Sequence, residues 1–283
     1  MVSSSPLWLG PLPKALTVAG SDSGAGAGIQ ADLKTFAALG VYGTSALTAV
    51  TAQNTQEVVA IAEVPEEVVA AQIDAVLEDI GADAAKTGML SSAPIIATVA
   101  DRLEAWGVTN LVVDPVMVAK SGDRLLQIDA IDELRSTLLP LALVVTPNLP
   151  EAEVLSGLTI QTEDDARRAA GAIAGLGPRY VVVKGGHRRD APIDVVYDGR
   201  DYVDLPADRI ETPNTHGTGC TFSAAIAAHL ALGAAPLEAI AAAKEYVTAA
   251  LRASYRVGNG HSPVNHFHAV RAVEAPLVTK EER

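Results

Sequence analysis

The chain of 283 residues carries a single cysteine, Cys220. One thiol cannot close an intramolecular disulfide, and no paired-cysteine metal motif can be built from it, which fits a reducing, cytoplasmic setting. Basic charge is scarce as well: 21 Lys and Arg stand against 34 Asp and Glu, for a formal net charge of -13. Such a surface repels a phosphate polyanion, so nucleic acid is set aside as a partner. No secretory signal opens the chain, because Pro6, Gly10, Pro11 and Pro13 break up any apolar stretch there. Residues 1–14 read as a flexible leader and 271–283 as a charged, flexible tail. The longest weakly charged stretch, Cys220 to Ala243, is divided by His229, Gly233, Pro236 and Glu238. Two Ala-rich helices, rather than a membrane span, are expected there. Internal repeats, low-complexity linkers and composition breaks are all missing, which places 15–270 in one domain.

What is present is alternation. Short valine-rich runs recur between longer helical patterns, the signature of an α/β fold with a parallel sheet covered on both faces. The runs read as strands are Ala15–Ala19, Ser45–Thr51, Val58–Val64, Ala84–Thr87, Asn110–Asp114, Leu143–Thr146 and Tyr180–Lys184. Farther on, Ile193–Tyr197 and Asp201–Leu205 flank the turn signal Asp198-Gly199-Arg200. An antiparallel edge hairpin is expected from them, which makes the sheet mixed. Ligands of such sheets gather at the carboxyl ends of the strands, and five motifs follow strands.

The glycine-rich stretch Ala19 to Gly28 is either a tight turn or a loop that lets a ligand approach the backbone; it matches neither a Walker A loop nor the dinucleotide fingerprint. Thr51-Ala52-Gln53-Asn54-Thr55 offers amides suited to a heteroaromatic ring edge, or else simply turns the chain. Lys86-Thr87-Gly88-Met89 follows another strand, with Met89 as core filler or ring-contacting wall. Asp114 ends a strand due to be buried, so it calls for a lysine, a hydrated metal or an N-cap role. Asn148 followed by Glu151 has the spacing of a capping box, and also sets a second carboxylate near Asp114. His216-Gly217-Thr218-Gly219-Cys220 leads into a helix, where exposed amides and the helix dipole outline an anion hole. At that helix N-terminus the Cys220 thiol is expected to have a lowered pKa and to accept a proton, or alternatively to be a small packing residue. Lys184 and Lys244 are candidates to offset phosphate charge. His261, His266 and His268 lack the acidic or cysteine ligands of a transition-metal site, and none is expected.

In order along the chain, Ala-Leu-Thr-Val-Ala-Gly-Ser-Asp at Ala15, Gly-Ala-Gly-Ile-Gln-Ala-Asp-Leu-Lys-Thr-Phe at Gly26, Thr-Ala-Gln-Asn-Thr at Thr51, Lys-Thr-Gly-Met-Leu at Lys86, Asp-Pro-Val-Met at Asp114, Thr-Pro-Asn-Leu-Pro-Glu at Thr146 and Gly-Thr-Gly-Cys at Gly217 resemble the bacterial hydroxymethylpyrimidine/phosphomethylpyrimidine kinases. The resemblance runs from about Ala15 to His268. It implies a ribokinase-like three-layer sandwich, a homodimer, and transfer of phosphate from ATP with Mg²⁺ to a hydroxymethylpyrimidine and then to its monophosphate, in thiamine biosynthesis. By the same resemblance Ala27, Asp32, Gln53, Met89 and Val116 hold the pyrimidine, Asn148, Lys184 and Lys244 contact the nucleotide, and Asp114 and Glu151 organise the metal. Gly217, Thr218, Gly219 and Cys220 then form the catalytic loop. The first glycine loop departs from the family, reading Ser-Asp-Ser-Gly-Ala-Gly-Ala-Gly where Ser-Asp-Pro/Ser-Ser-Gly-Gly-Ala-Gly is usual. With so little chain beyond the match, a fused thiamine-phosphate synthase or thiaminase-like domain is not expected. The competing readings are a pyridoxine or pyridoxal kinase of the same superfamily and a non-catalytic pyrimidine sensor.

Overall fold

The computed structural model describes residues 10–117, 130–185 and 193–270. Every valine-rich run becomes a strand: β1 (Lys14–Asp22), β2 (Tyr42–Gln53), β3 (Val58–Glu63), β4 (Ala84–Thr87), β5 (Leu111–Val113), β6 (Val144–Val145), β7 (Tyr180–Val183), β8 (Ile193–Tyr197) and β9 (Tyr202–Pro206). They form one nine-stranded sheet in the order β3-β2-β1-β4-β5-β6-β7-β8-β9. Strands β2, β1, β4, β5, β6 and β7 run parallel. The β8–β9 edge is the expected antiparallel hairpin, turned at Asp198, whose side chain accepts from the amides of Arg200 and Asp201. The other edge is antiparallel too, since β3 folds back on β2, a pairing that its valines alone do not specify.

The first strand starts one residue earlier than the sequence reading had it. Lys14 is already in β1, its amide donating to Asp83 Oδ2 at 2.8 Å, and Pro13 accepts from Tyr42 N. Residues 1–9 and 271–283 lie outside the described residues.

Side chains alternate across the sheet with the period of a strand, and both faces are covered. Leu16, Val18, Val113, Val145, Val181 and Val183 face one layer, with Ile73, Ile95, Ile96, Leu103, Leu138, Leu155 and Ile173 packed over them. That layer contains α2 (Glu66–Asp79), α3 (Ala93–Ala105), the short α4 (Ala130–Glu133), α5 (Leu149–Ser156) and α6 (Glu163–Ala174). Between α4 and α5 the chain passes through a π turn at Leu134–Leu138 and a 3-10 turn at Leu139–Leu141. On the opposite face Ala15, Val112, Val144, Val182 and Val196 meet Phe36, Phe222, Ile226 and Ile240. Those come from α1 (Gly28–Ala38), α7 (Thr218–Ala231) and α8 (Pro236–Arg252). The three-layer sandwich is thus the ribokinase-like arrangement that the resemblance implied.

Helix α7 is buried continuously from Thr221 to Ala228. Its alanines explain how one helix can lie against the sheet, α1 and α8 at once, because small side chains let backbones approach on every side. Among the described residues no helix is long and apolar enough to cross a membrane.

Candidate active site

Strands β2 and β4 lie on opposite sides of β1, so the chain reverses its direction of travel across the sheet there. At such a switch point the carboxyl ends of neighbouring strands open a crevice. Asp22 ends β1 and Gln53 ends β2, while Gly88 follows β4, Asp114 follows β5 and Asn148 follows β6.

Asp22 gathers the first glycine loop around itself. Its Oδ1 accepts from Gly24 N at 2.8 Å, and its Oδ2 accepts from Gly26 N at 3.0 Å and Ala27 N at 2.8 Å. The His216 ring nitrogen Nε2 lies 2.9 Å from the same Oδ2. Burial opposes ionisation of this carboxyl, but His216 and the loop amides together hold it below the usual carboxylate range. Gln53 lies beside it, its amide nitrogen 3.5 Å from His216 Nε2.

The second glycine loop rests on the first. Gly217 has φ 74, and a Cβ there would fall 1.8 Å from the carbonyl oxygen of Gly26. A Cβ on Gly26 would in turn meet the His216 ring at 2.2 Å. Only glycine at both positions lets the two backbones touch, which fixes the amides at the start of α7 against the β1–α1 loop.

Around that helix start lie the charged groups. Lys184 Nζ donates to Asp114 Oδ1 at 3.1 Å, and Thr146 Oγ1 donates to the same oxygen at 3.3 Å. A Cβ at Gly219 would lie 3.4 Å from Lys184 Nζ and 3.6 Å from Asp114 Oδ2, so α7 opens directly onto this pair. Asn148 and Glu151 form the capping box their spacing announced, with Glu151 N donating to Asn148 Oδ1 and Asn148 N donating to Glu151 Oε2. Glu151 is nonetheless buried and belongs to the charge cluster. Burial and the nearby Asp114 push its pKa up to about 7, against the pull of Lys184.

The thiol of Cys220 departs from expectation. Instead of being lowered by the helix terminus, its pKa is pushed up to about 11. Burial is the main cause, and the carboxylates of Asp32 and Asp114 add to it, outweighing the nearby Lys86 ammonium. In this state the thiol is protonated at neutral pH.

Asp32 is fully buried, where Lys86 Nζ donates to its Oδ2 at 2.9 Å and Thr17 Oγ1 donates to the same atom at 2.6 Å. Lys86 opens one of the motifs read in the sequence, but no role was assigned to it there. It too is fully buried, and Asp32 holds its ammonium above the ordinary lysine value although burial works the other way. Gly88 makes room for it, since a Cβ there would lie 2.7 Å from Lys86 Nζ.

Met89 lies against Gly20 in the wall of the crevice, Ala27 caps α1, and Val116 is half-buried beyond Asp114. Lys244 stands apart from the Asp114 cluster: its Nζ donates at 2.6 Å to Asp194 Oδ2, while Asp194 Oδ1 accepts from Gly185 N. It braces the end of β7. The parts of the Asp114 and Lys184 motifs that run into 118–129 and 186–192 lie outside the described residues.

The histidines near the end of the chain are structural neighbours of the site. His266 pairs with Thr221 on α7 at 3.0 Å, and burial brings its pKa down to about 4. His268 packs on Tyr246. His261 N donates to Thr55 O at 2.7 Å, and His216 N donates to Ser262 O at 3.1 Å.

A glycine-lined helix start opening onto buried carboxylates and a lysine, on a ribokinase-like sheet, defines a kinase of small molecules. The chain belongs to the phosphomethylpyrimidine kinase family, whose model it matches over residues 22–265. It is 55% identical to the hydroxymethylpyrimidine/phosphomethylpyrimidine kinase of Rhizobium meliloti over 258 residues, covering 90% of this chain and 97% of that one. Its identity to the Bacillus subtilis enzyme of the same name is 46% over 256 residues, or 90% and 94% of the two chains. Among solved structures, phosphomethylpyrimidine kinase from Clostridium difficile superposes with a TM-score of 0.75 at 44% identity, covering 83% of this chain and 97% of that one. An ADP complex of Bacillus subtilis pyridoxal kinase superposes with a TM-score of 0.85 at 43% identity, covering 91% and 98%.

Proposed function

We infer that this protein phosphorylates hydroxymethylpyrimidine with ATP and then phosphorylates the resulting monophosphate, as a step of thiamine biosynthesis. The observation that carries the reading is the opening of α7 onto the Asp114–Lys184 pair across Gly219. Backbone amides from Gly217 to Cys220 there face the place where a transferring phosphoryl group gathers negative charge, and preorganised donors of this kind lower the barrier without reorganising. Lys184 supplies a fixed positive charge beside them.

Asp114 and Glu151 are hard oxygen ligands, and their mutual repulsion is among the causes that raise Glu151. That donor set fits Mg²⁺, which would be held by these two carboxylates and would neutralise phosphate charge. In the first transfer the hydroxymethyl oxygen forms a bond to the γ-phosphorus of ATP, ADP leaves, and the alcohol proton must go to a base. Cys220 sits at the anion hole as the candidate acceptor, and must first give up the proton it holds at neutral pH. In the second transfer the acceptor is a phosphate oxygen with a second pKa of about 6, so no base is required. Ala27, Asp32, Gln53, Met89 and Val116 are assigned to the pyrimidine side; Asp32 acts there from beneath, through Lys86. Asn148, Lys184 and Lys244 are assigned to the nucleotide side, Lys244 by bracing the β7 end.

The apolar β3 edge, with Val59 and Ile61 exposed, supports a homodimer, and we place the enzyme in the cytoplasm. The likeness to pyridoxal kinases favours one second reading, a vitamin B6 kinase. Release of ADP from Mg-ATP with hydroxymethylpyrimidine, its monophosphate, pyridoxine and pyridoxal decides. Turnover of both pyrimidines is expected; preference for a B6 compound moves the substrate, and no turnover of any of the four overturns the kinase.

A further inference from the structure

His216 joins the two glycine loops and the end of β2, yet the reaction as described does not use it. Its side chain is buried between Asp22 Oδ2 at 2.9 Å and Gln53 Nε2 at 3.5 Å. Its backbone is fixed by the segment at Ser262 and Pro263, through Ser262 O and a bridge to Pro263. Gln53 is held equally firmly: Ser23 Oγ accepts from Gln53 N at 2.8 Å and donates to Gln53 O at 2.7 Å. With both backbones clamped, only the glutamine amide has a choice left, namely which of its ends faces the histidine.

The hydrogens decide that choice. The Asp22 carboxylate can only accept, so the His216 Nε2 proton points to it and Nε2 has no lone pair left for Gln53. An amide N–H turned toward His216 would therefore meet another N–H. Thr51 Oγ1 lies 2.9 Å from Ser21 O and 3.2 Å from the far end of the Gln53 amide. Its one proton satisfies Ser21 O, which leaves its lone pairs to accept from Gln53. The structure sets Gln53 Oε1 toward Thr51 and Nε2 toward His216; with the hydrogens so placed, the reversed amide, nitrogen to Thr51 and carbonyl oxygen to His216 and the crevice, is the orientation that avoids N–H against N–H and gives Thr51 a donor.

We propose that His216 and Asp22 form a positioning dyad that turns the carbonyl oxygen of Gln53 toward the substrate, so that the site selects a ring bearing an exocyclic amine over one bearing an oxo group. The inference rests on the pyrimidine-kinase reading. An amine donates to that oxygen, whereas an oxo group sets two acceptors against each other, and a site built around a buried acceptor rejects the mismatched edge strongly.

The test compares kcat/KM for 4-amino- and 4-oxo-5-hydroxymethyl-2-methylpyrimidine in the wild type, His216→Phe, His216→Asn, Gln53→Leu and the His216→Phe/Gln53→Leu pair. The wild type should favour the amine by about 10²-fold or more. His216→Phe should cut that ratio at least about tenfold, mainly through KM for the amine, and the double variant should lose little beyond Gln53→Leu alone. His216→Asn, which keeps an N–H for Asp22, should recover part of the ratio. A ratio unchanged in both His216 variants, or one lowered additively with Gln53→Leu, overturns the dyad. Wild-type enzyme inactive on both pyrimidines fails the functional reading instead. Melting curves identify a variant that has not folded, and Asp22→Ala then serves as the second probe: it removes the acceptor of the Nε2 proton, and it should lower the same ratio.

Discussion

Gly217 and Gly26 meet backbone to backbone, closer than any side chain on Gly217 would allow. Gly217→Ala adds a clash to a left-handed backbone, so the start of α7 must move off the first loop. Loss of even one oriented donor costs about 10²–10³ in kcat. A fall of that size is expected for both phosphorylations, read from steady-state kinetics on folded protein.

Cys220 makes a different forecast, because its thiol is protonated at neutral pH. If its thiolate takes the alcohol proton, the rate of the first transfer should rise with pH toward about 11, while the second transfer should lack that limb. Cys220→Ala should slow the first transfer by about 10²–10⁴ and the second far less. Equal losses in both steps, with matching pH profiles, would reassign the residue to packing.

Glu151, proposed above as a metal ligand, also links pH to stability. Its pKa rises from 4.5 to about 7 on folding, so between those values the folded protein holds a proton that the unfolded chain has lost. Stability conferred by the neutral form is complete below pH 4.5 and is lost as pH rises through about 7. Glu151→Gln keeps the capping geometry and removes the charge. It should melt higher than the wild type at pH 8.5 and similarly to it at pH 4.5, while its activity needs far more Mg²⁺.

The Lys86–Asp32 pair should behave as buried ion pairs do. Lys86→Met alone leaves a carboxylate without its cation and should cost about 3–5 kcal/mol in urea unfolding, whereas Lys86→Met with Asp32→Leu should regain most of that. A double variant no more stable than the single one would show that Asp32 is not a stranded charge.

Ala25 has φ 61, a left-handed backbone for a residue with a Cβ. Ala25→Gly removes a strain of about 1–2 kcal/mol but adds freedom to the unfolded chain, so a net gain of about 0.5–1 kcal/mol is expected from denaturant midpoints.

These residues also mark where sequence reading stops. The central strands β5, β6 and β7 were legible because each is a short valine run with both faces buried, and Asn148–Glu151 was legible because a capping box is a matter of spacing. Lys86 was not, since the carboxylate that accounts for it lies 54 residues away on α1. The lowered pKa expected for Cys220 does not hold because a helix terminus is visible in sequence, while its burial and the carboxylates of Asp32 and Asp114 beside it are not. The fold-back of β3 was hidden for a similar reason, as an apolar run carries no sign of its direction.

The segment that returns past the site has one more consequence. Gly258 and Gly260 are pressed against Thr55, and Gly260 N donates to Thr55 Oγ1 across 205 positions of sequence. Ser262 and Pro263 then hold His216 from behind. During synthesis the sheet can form strand by strand as the chain emerges, but the glutamine end of the crevice is braced only once these late residues arrive. Until residues 258–263 have been made, a nascent chain can therefore hold its sheet but not a braced crevice.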